Sequence, residues 1–297
     1  MGILYEKEMI FRYGICTVIE MILFIEKNGV FLKKGMQMGV PAFTCHQKNP
    51  VVNWVCGKTE TRNCQKMAEN EIRRHEMKYK CMIFDLDGTL VNSIHALTYC
   101  TNLALERFGL GPLTEEQMKT IVGDGYRMQM RRSLLACGDT QLTHYEAILP
   151  VYMEIFGKHC NYQMHAYEGI QELLEYGRRK NMGLAVVSNK PWAQAVDTVE
   201  YVFGKGCFDV VIGEREGIPK KPDPTGALTA ARELQASPEE CLYFGDTNTD
   251  MQTGKNAGMT TAGVLWGFRG REELEAFHPR FLLDRPQEMI EKLEEMD

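Results

Sequence analysis

No stretch of this chain approaches the roughly 18–20 uninterrupted apolar residues that a bilayer helix requires. The best candidate, Ile15 to Ile25, is too short and contains Glu20, so a membrane span is excluded. An excess of positive charge is missing too: 34 Lys and Arg face 40 Asp and Glu, a formal net charge of −6. Without an overall basic field the chain has little to hold a polyanion, and nucleic acid is not an expected partner, whereas a small anionic ligand needs only a local positive site. Cysteine is sparse, ten in 297 residues with no C-x-x-C pair. That density excludes a secreted disulfide scaffold, and the thiols are read as reduced and cytoplasmic. A secretory leader is not expected either, because Glu6, Glu8 and Glu20 spoil the basic and apolar order such a segment needs.

What is present is 44% hydrophobic and 25% charged, the composition of a soluble globular chain long enough for two domains. The composition is uneven. Residues 1–76 hold eleven Lys and Arg against eight Glu and no Asp, a net of +3, so the other 221 residues carry −9 and every aspartate. The hydrophobic residues of this first segment keep no sustained period. Ile15 to Ile25 fits a buried strand or helix, and Pro41 to Gln65 reads as irregular loop. Cys45-His46, Cys56 and Cys64 lack the spacing of paired zinc ligands, which favours unpaired thiols. The segment is expected to fold weakly or not at all. Arg73-Arg74 can be encoded by purine-rich codons that resemble a ribosome-binding sequence, two codons before Met77. Translation is therefore expected to begin at Met77, with residues 1–76 a mis-called extension.

From Met77 onward strands and helices alternate. Lys80 to Leu86 is a short apolar run ending in acidic residues, as a buried parallel strand would be. About 75 residues without a convincing strand follow. Ser93 to Phe108, Thr114 to Val122, Gly125 to Ala136 and Thr143 to His159 show helical spacing, with Gly109, Gly123 and Gly138 as stops. After Glu168 the alternation resumes with helix Ile170 to Arg179, strand Gly183 to Ser188, helix Trp192 to Phe203 and strand Phe208 to Ile212. Helix Pro224 to Leu234, strand Cys241 to Phe244, helix Asp250 to Ala257 and strand Thr260 to Val264 complete it. This order predicts an α/β fold, a doubly wound parallel sheet of Rossmann-like type, with a helical cap inserted after the first strand. The expected division is 77–90 and 167–297 for the core and 91–166 for the cap. Such a sheet gathers its chemistry at the carboxyl ends of its strands.

Four strand ends carry reactive groups. The first ends Asp85-Leu86-Asp87-Gly88-Thr89-Leu90, where two carboxylates at i and i+2 meet a glycine turn that can aim both at one group. One can attack while the other moves protons. A bare acidic turn or a calcium loop is the alternative, and Leu90-Val91 breaks the ligand ladder of an EF-hand. The next end, Ser188-Asn189-Lys190, offers a hydroxyl beside a helix start, which suits either an anion pocket or an N-cap. Lys220-Lys221-Pro222-Asp223-Pro224 places Lys221 in a proline-stiffened loop, where it could hold a phosphate oxygen or stand as a solvated basic turn. Gly245-Asp246-Thr247-Asn248-Thr249-Asp250 supplies oxygen ligands suited to Mg²⁺, with Asp246 the metal candidate and Asp250 its support.

In this order DLDGTL, VVSNK, KKPDP and GDTNTD resemble the four motifs of the haloacid dehalogenase superfamily of phosphatases. Val264-Leu265-Trp266-Gly267-Phe268-Arg269 is similar to the phosphoglycolate phosphatase branch. The resemblance covers Met77 to the C-terminus. It implies that Asp85 is the nucleophile and a Mg²⁺ ligand, and that Asp87 is the general acid and base and binds Mg²⁺ through its main-chain carbonyl. Gly88 and Asn189 would contact the substrate, Ser188 would hydrogen-bond the transferring phosphoryl group, Lys221 would stabilise the aspartyl phosphate, and Asp246 with Asp250 would complete the metal site. Asp87 speaks against the dehalogenase branch, which lacks that acid. The cap loop Gly123-Asp124-Gly125-Tyr126-Arg127 would face the site, with Arg127 or Arg131 meeting a substrate carboxylate.

The expected function is Mg²⁺-dependent hydrolysis of a small phosphorylated metabolite, 2-phosphoglycolate first, in a cytoplasmic monomer or homodimer. A phosphomutase or a pyrophosphatase of the same superfamily is the enzyme alternative. The mutase branch resembles a Glu-Asp pair where Gly245-Asp246 stands. A non-catalytic phosphate-sensing protein is the other alternative, and it would have no need of a nucleophile.

Overall fold

The strand Cys81–Phe84 (β1) has only apolar side chains and is buried along its whole length, which is possible only if both faces of its sheet are covered. It belongs to a computed structural model that describes residues 77–296. The expectations placed on residues 1–76, including the start at Met77, lie outside the described residues.

After β1 the chain passes through β2 (Val91–Asn92) into four helices, α1 (Ile94–Glu106), α2 (Glu115–Ile121), α3 (Tyr126–Ala136) and α4 (Tyr145–His159). It returns through β3 (His165–Ala166), which pairs antiparallel with β2 so that Val91 stands opposite Ala166. The cap thus leaves and re-enters by one two-stranded ribbon. Sequence periodicity shows no strand here because two residues per strand are too few to carry a period.

The core continues as α5 (Ile170–Arg179), β4 (Gly183–Pro191), α6 (Trp192–Phe203), β5 (Val210–Glu214), α7 (Thr225–Glu233), β6 (Cys241–Gly245), α8 (Asn248–Asn256) and β7 (Thr260–Val264). Beyond the last predicted strand come α9 (Arg271–Glu275), β8 (Phe281–Leu283) and α10 (Gln287–Glu294). The six core strands are parallel in the order β5-β4-β1-β6-β7-β8. Taken as the chain visits them this is 3-2-1-4-5-6, with the direction of winding reversing between β1 and β6, where ligands of such sheets bind.

Alternation along each strand sorts the core. Met82, Phe84, Leu184, Val186, Leu242 and Phe244 point to one face with Leu173, Val199 and Met289 of the covering helices. Cys81, Ile83, Ala185, Val187 and Tyr243 point to the other, against Ala227, Ala230 and Ala231 of α7. Phe84 and Phe244 stack at 4.5 Å between ring centroids, and each such fully buried side chain contributes about 2–3 kcal/mol of hydrophobic stabilisation. The cap has its own core, in which Leu97 and Cys100 of α1 meet Met118, Met130, Tyr152 and Phe156. Among the described residues no helix is long and apolar enough to cross a membrane.

Candidate active site

The β1–β6 ladder runs on past Phe84, for the Asp85 N–H donates to Phe244 O at 2.9 Å. The chain then turns sharply: Leu90 and Val91 N–H both donate to Leu86 O, and Gly88 N–H donates to Val91 O. Gly88 sits at φ +91°, and a Cβ on it would lie 2.3 Å from Asp246 Oδ2. The glycine's own N–H is taken up by the turn, so what it provides is room for a second carboxylate beside Asp85.

Lys221 arrives from the loop before α7 and is buried, its Nζ donating to Asp85 Oδ1 and to Asp250 Oδ1, each at 2.6 Å. Asn189 at the end of β4 holds it in place. Asn189 Oδ1 accepts from the Lys221 N–H at 2.9 Å, and its Nδ2 donates to Lys221 O at 3.3 Å. Burial works against the Lys221 ammonium, but Asp250 and Asp85 outweigh it and hold the lysine protonated, well above its ordinary range.

Asp246 ends β6 without any exposure. Thr89 Oγ1 donates to its Oδ1 at 3.0 Å and the Phe268 N–H to its Oδ2 at 2.8 Å, both neutral donors. Asp250, one turn into α8, closes a capping box with Thr247, whose Oγ1 donates to Asp250 Oδ2 at 2.6 Å. Asp85, Asp246 and Asp250 bring one oxygen each within 4.8 Å of one another. Burial first, then Asp250, hold the Asp85 carboxyl well above the usual carboxylate range while Lys221 pulls the other way. The same two causes raise Asp246 to about 7. Three buried carboxylates around one ammonium leave negative charge uncompensated, and hard oxygen donors with that surplus fit a divalent cation such as Mg²⁺.

Asp87 stands apart from this cluster. Its Oδ1 accepts from Lys190 Nζ at 2.9 Å, and the lysine side chain is only 2% exposed, lying 5.0 Å from the Phe156 ring centroid in the cap. Lys190 stands inside the VVSNK run, yet the sequence alone assigns it no role. Its position follows from β4, which extends to Pro191 instead of stopping at Ser188 and so carries the whole motif on the strand end. Ser188 Oγ accepts from the Lys190 N–H at 3.1 Å, which leaves the hydroxyl hydrogen to donate elsewhere.

The cap loop meets the core at three points. Asn189 Nδ2 donates to Gly123 O at 3.1 Å, Thr249 Oγ1 donates to Asp124 Oδ1 at 2.9 Å, and Arg269 Nη2 donates to Val122 O at 2.9 Å. A Cβ on Gly125 would lie 2.9 Å from Lys220 Nζ, which itself pairs with Glu214 at 2.9 Å. Arg127 and Arg131 are exposed on α3, the Arg127 guanidinium lying over the Tyr126 ring at 5.4 Å. Arg132 is the α3 arginine that turns to this loop, on Asp124 and Ile121 O.

The geometry assembles a buried carboxylate with an ammonium against it, a second carboxylate two residues on, and an acidic cluster at a sheet's switch point. Known proteins share the fold that carries it. A phosphoglycolate phosphatase of Aquifex aeolicus is 30% identical over 219 residues, 72% of this chain and 97% of that protein. The pyrophosphatase PpaX of Listeria welshimeri is 29% identical over 214 residues, 72% of this chain and 95% of its own. A solved protein of Lactobacillus delbrueckii subsp. bulgaricus is 31% identical with a TM-score of 0.67, covering 73% of this chain and 99% of that one. With the profile of haloacid dehalogenase-like hydrolases matching residues 82–264, the chain belongs to that family.

Proposed function

We propose that this protein is a phosphatase that hydrolyses a small phosphate monoester through an aspartyl phosphate on Asp85, with 2-phosphoglycolate the leading substrate. The observation that carries this reading is the buried Asp85 carboxylate with Lys221 Nζ at 2.6 Å. Asp85 attacks phosphorus, forming an acyl phosphate as the bond to the leaving oxygen breaks, and Asp87 protonates that oxygen. Asp87 then takes a proton from the water that cleaves the acyl phosphate. Lys221 holds the charge of the phosphoryl oxygens, and the Ser188 hydroxyl donates to one of them. Mg²⁺ would be held by Asp85, Asp246 and the Asp87 main-chain carbonyl, where it supplies further positive charge to the phosphoryl group.

Lys190 supports an anionic leaving group, because its buried ammonium lies beside the acid that protonates that group. The carboxylate of glycolate meets this condition. So does a second phosphoryl group, which keeps the pyrophosphatase reading of the Listeria relative as the second candidate. A mutase-type glutamate at position 245 is disfavoured, since a Cβ on Gly245 would lie 2.1 Å from Asp250 Cβ. A cytoplasmic setting fits the free thiols Cys100, Cys137, Cys160, Cys207 and Cys241.

The test is phosphate release from 2-phosphoglycolate, pyrophosphate and sugar phosphates, with and without Mg²⁺, for wild type and Asp85→Asn. The variant is expected to lose at least about 10³-fold in kcat, since a carboxamide cannot form the acyl phosphate. Activity surviving that substitution would overturn the mechanism, and equal rates on all esters would overturn the substrate assignment.

A further inference from the structure

The segment that follows β7 touches both halves of the molecule. Trp266 Nε1 donates to Thr89 O at 2.9 Å, which fastens the segment to the turn after Asp85. Gly267 lies so close to the site that a Cβ on it would come within 2.3 Å of Asp246 Cβ and 2.4 Å of Gly88 O. The next residue, Phe268, donates its N–H to Asp246 Oδ2 and packs its ring against the cap core. Arg269 then enters the cap outright. Its guanidinium donates to Lys119 O and to Val122 O, the terminal carbonyls of α2, with Glu273 at 3.4 Å from Nε.

A helix ends with carbonyls that have no partner inside it, and the end of α2 is met by two arginines. Arg132 of the cap takes Ile121 O at 2.8 Å, while Arg269 reaches across from the core. The residues directly beyond, Gly123 and Asp124, are those held by Asn189 and Thr249. One end of this short segment therefore orients Asp246, and the other fixes the cap loop over the strand ends.

We propose that Arg269 is a positioning residue for the reaction, clasping the C-terminal end of α2 so that the cap loop is seated over the site when Asp246 is correctly aligned. Arg269 touches neither substrate nor reacting atoms, and its effect passes through Val122 to Asp124 on one side and through Phe268 on the other. The proposal rests on the phosphatase reading given above.

The experiment uses full-length Arg269→Ala and Arg269→Lys, assayed on the ester that wild type hydrolyses fastest, together with amide hydrogen exchange of peptides spanning residues 119–125. Arg269→Ala is expected to raise KM by at least ~10-fold and lower kcat/KM by roughly 10²-fold, the scale of a misplaced positioning contact. Exchange should quicken in residues 119–125 and stay unchanged in β1, β4 and β6. Arg269→Lys, able to reach one carbonyl and not two, should recover part of the loss and serves if the alanine variant fails to fold. Exchange at 119–125 equal to wild type in both variants would overturn the proposal, as would a loss of activity that only follows the folded fraction. A wild type that cleaves no ester would sink the phosphatase reading instead, and the exchange measurement would still decide the clasp.

Discussion

Asp246 owes its position to two glycines and two neutral donors. Because Gly267 presses on Asp246 Cβ and on the main-chain oxygen of Gly88, a methyl group there has no flexible neighbour to displace. Gly267→Ala must push the 267–268 backbone away and break the Phe268 hydrogen bond to Asp246 Oδ2. We expect the Mg²⁺ concentration for half-maximal phosphate release to rise at least ~10-fold, the usual cost of disturbing a partner that orients a metal ligand. Titration of MgCl₂ against wild type and variant checks it, and an unchanged midpoint would show that Asp246 tolerates the shift. Asp85, Asp87, Ser188, Lys221 and Asp246 could be singled out from sequence because a doubly wound sheet brings successive strand ends together whatever lies between them. Lys190 and Arg269 could not. A buried lysine paired with a half-buried carboxylate and an arginine that caps a cap helix look like ordinary solvated charge until distance is known.

The four cap helices were readable because each buries one stripe and glycine stops the first three. Gly109, Gly123 and Gly138 all adopt positive φ, at +68°, +115° and +91°, where other residues are strained. The short elements were not readable. Phe281-Leu282-Leu283 forms β8 because β7 offers it an edge, and three residues between Pro279 and Pro286 show no periodicity of their own. Within the cap, Cys100 on α1 is fully buried, and burial, with Cys160 adding to it and Lys190 opposing, pushes its thiol up to about 12. An unfolded thiol titrates near pH 8.5. Between these values the unfolded chain sheds the proton first, so this contribution to stability is complete below about pH 8.5 and is lost as pH rises toward 12. In Cys100→Ala that slope disappears. The difference in unfolding free energy between wild type and variant should shrink by about 1.4 kcal/mol per pH unit above roughly pH 9. Urea midpoints taken near neutrality and at about pH 10 measure it, and a constant difference would mean that Cys100 does not titrate on unfolding.

Among the described residues, 77–296, stand all the groups proposed for the reaction and a six-stranded parallel sheet whose strands pair with one another. The core and the cap each bury their own hydrophobic cluster there, which is what an independently folding unit requires. The haloacid dehalogenase-like hydrolase family matches residues 82–264, inside this part. A chain comprising residues 77–297 should therefore keep kcat within about twofold of the full-length protein and its thermal midpoint within a few degrees. It also sheds the net +3 of residues 1–76 and carries −9 in place of −6. An anionic ester approaching a more acidic protein is repelled slightly more, so any rise in KM should be confined to low ionic strength and vanish near physiological salt, where fields beyond ~8 Å are screened. Steady-state kinetics of both chains at two salt concentrations separate the effects: a salt-sensitive KM with constant kcat is expected, and a kcat reduced tenfold at either salt would show that residues 1–76 take part in forming the site.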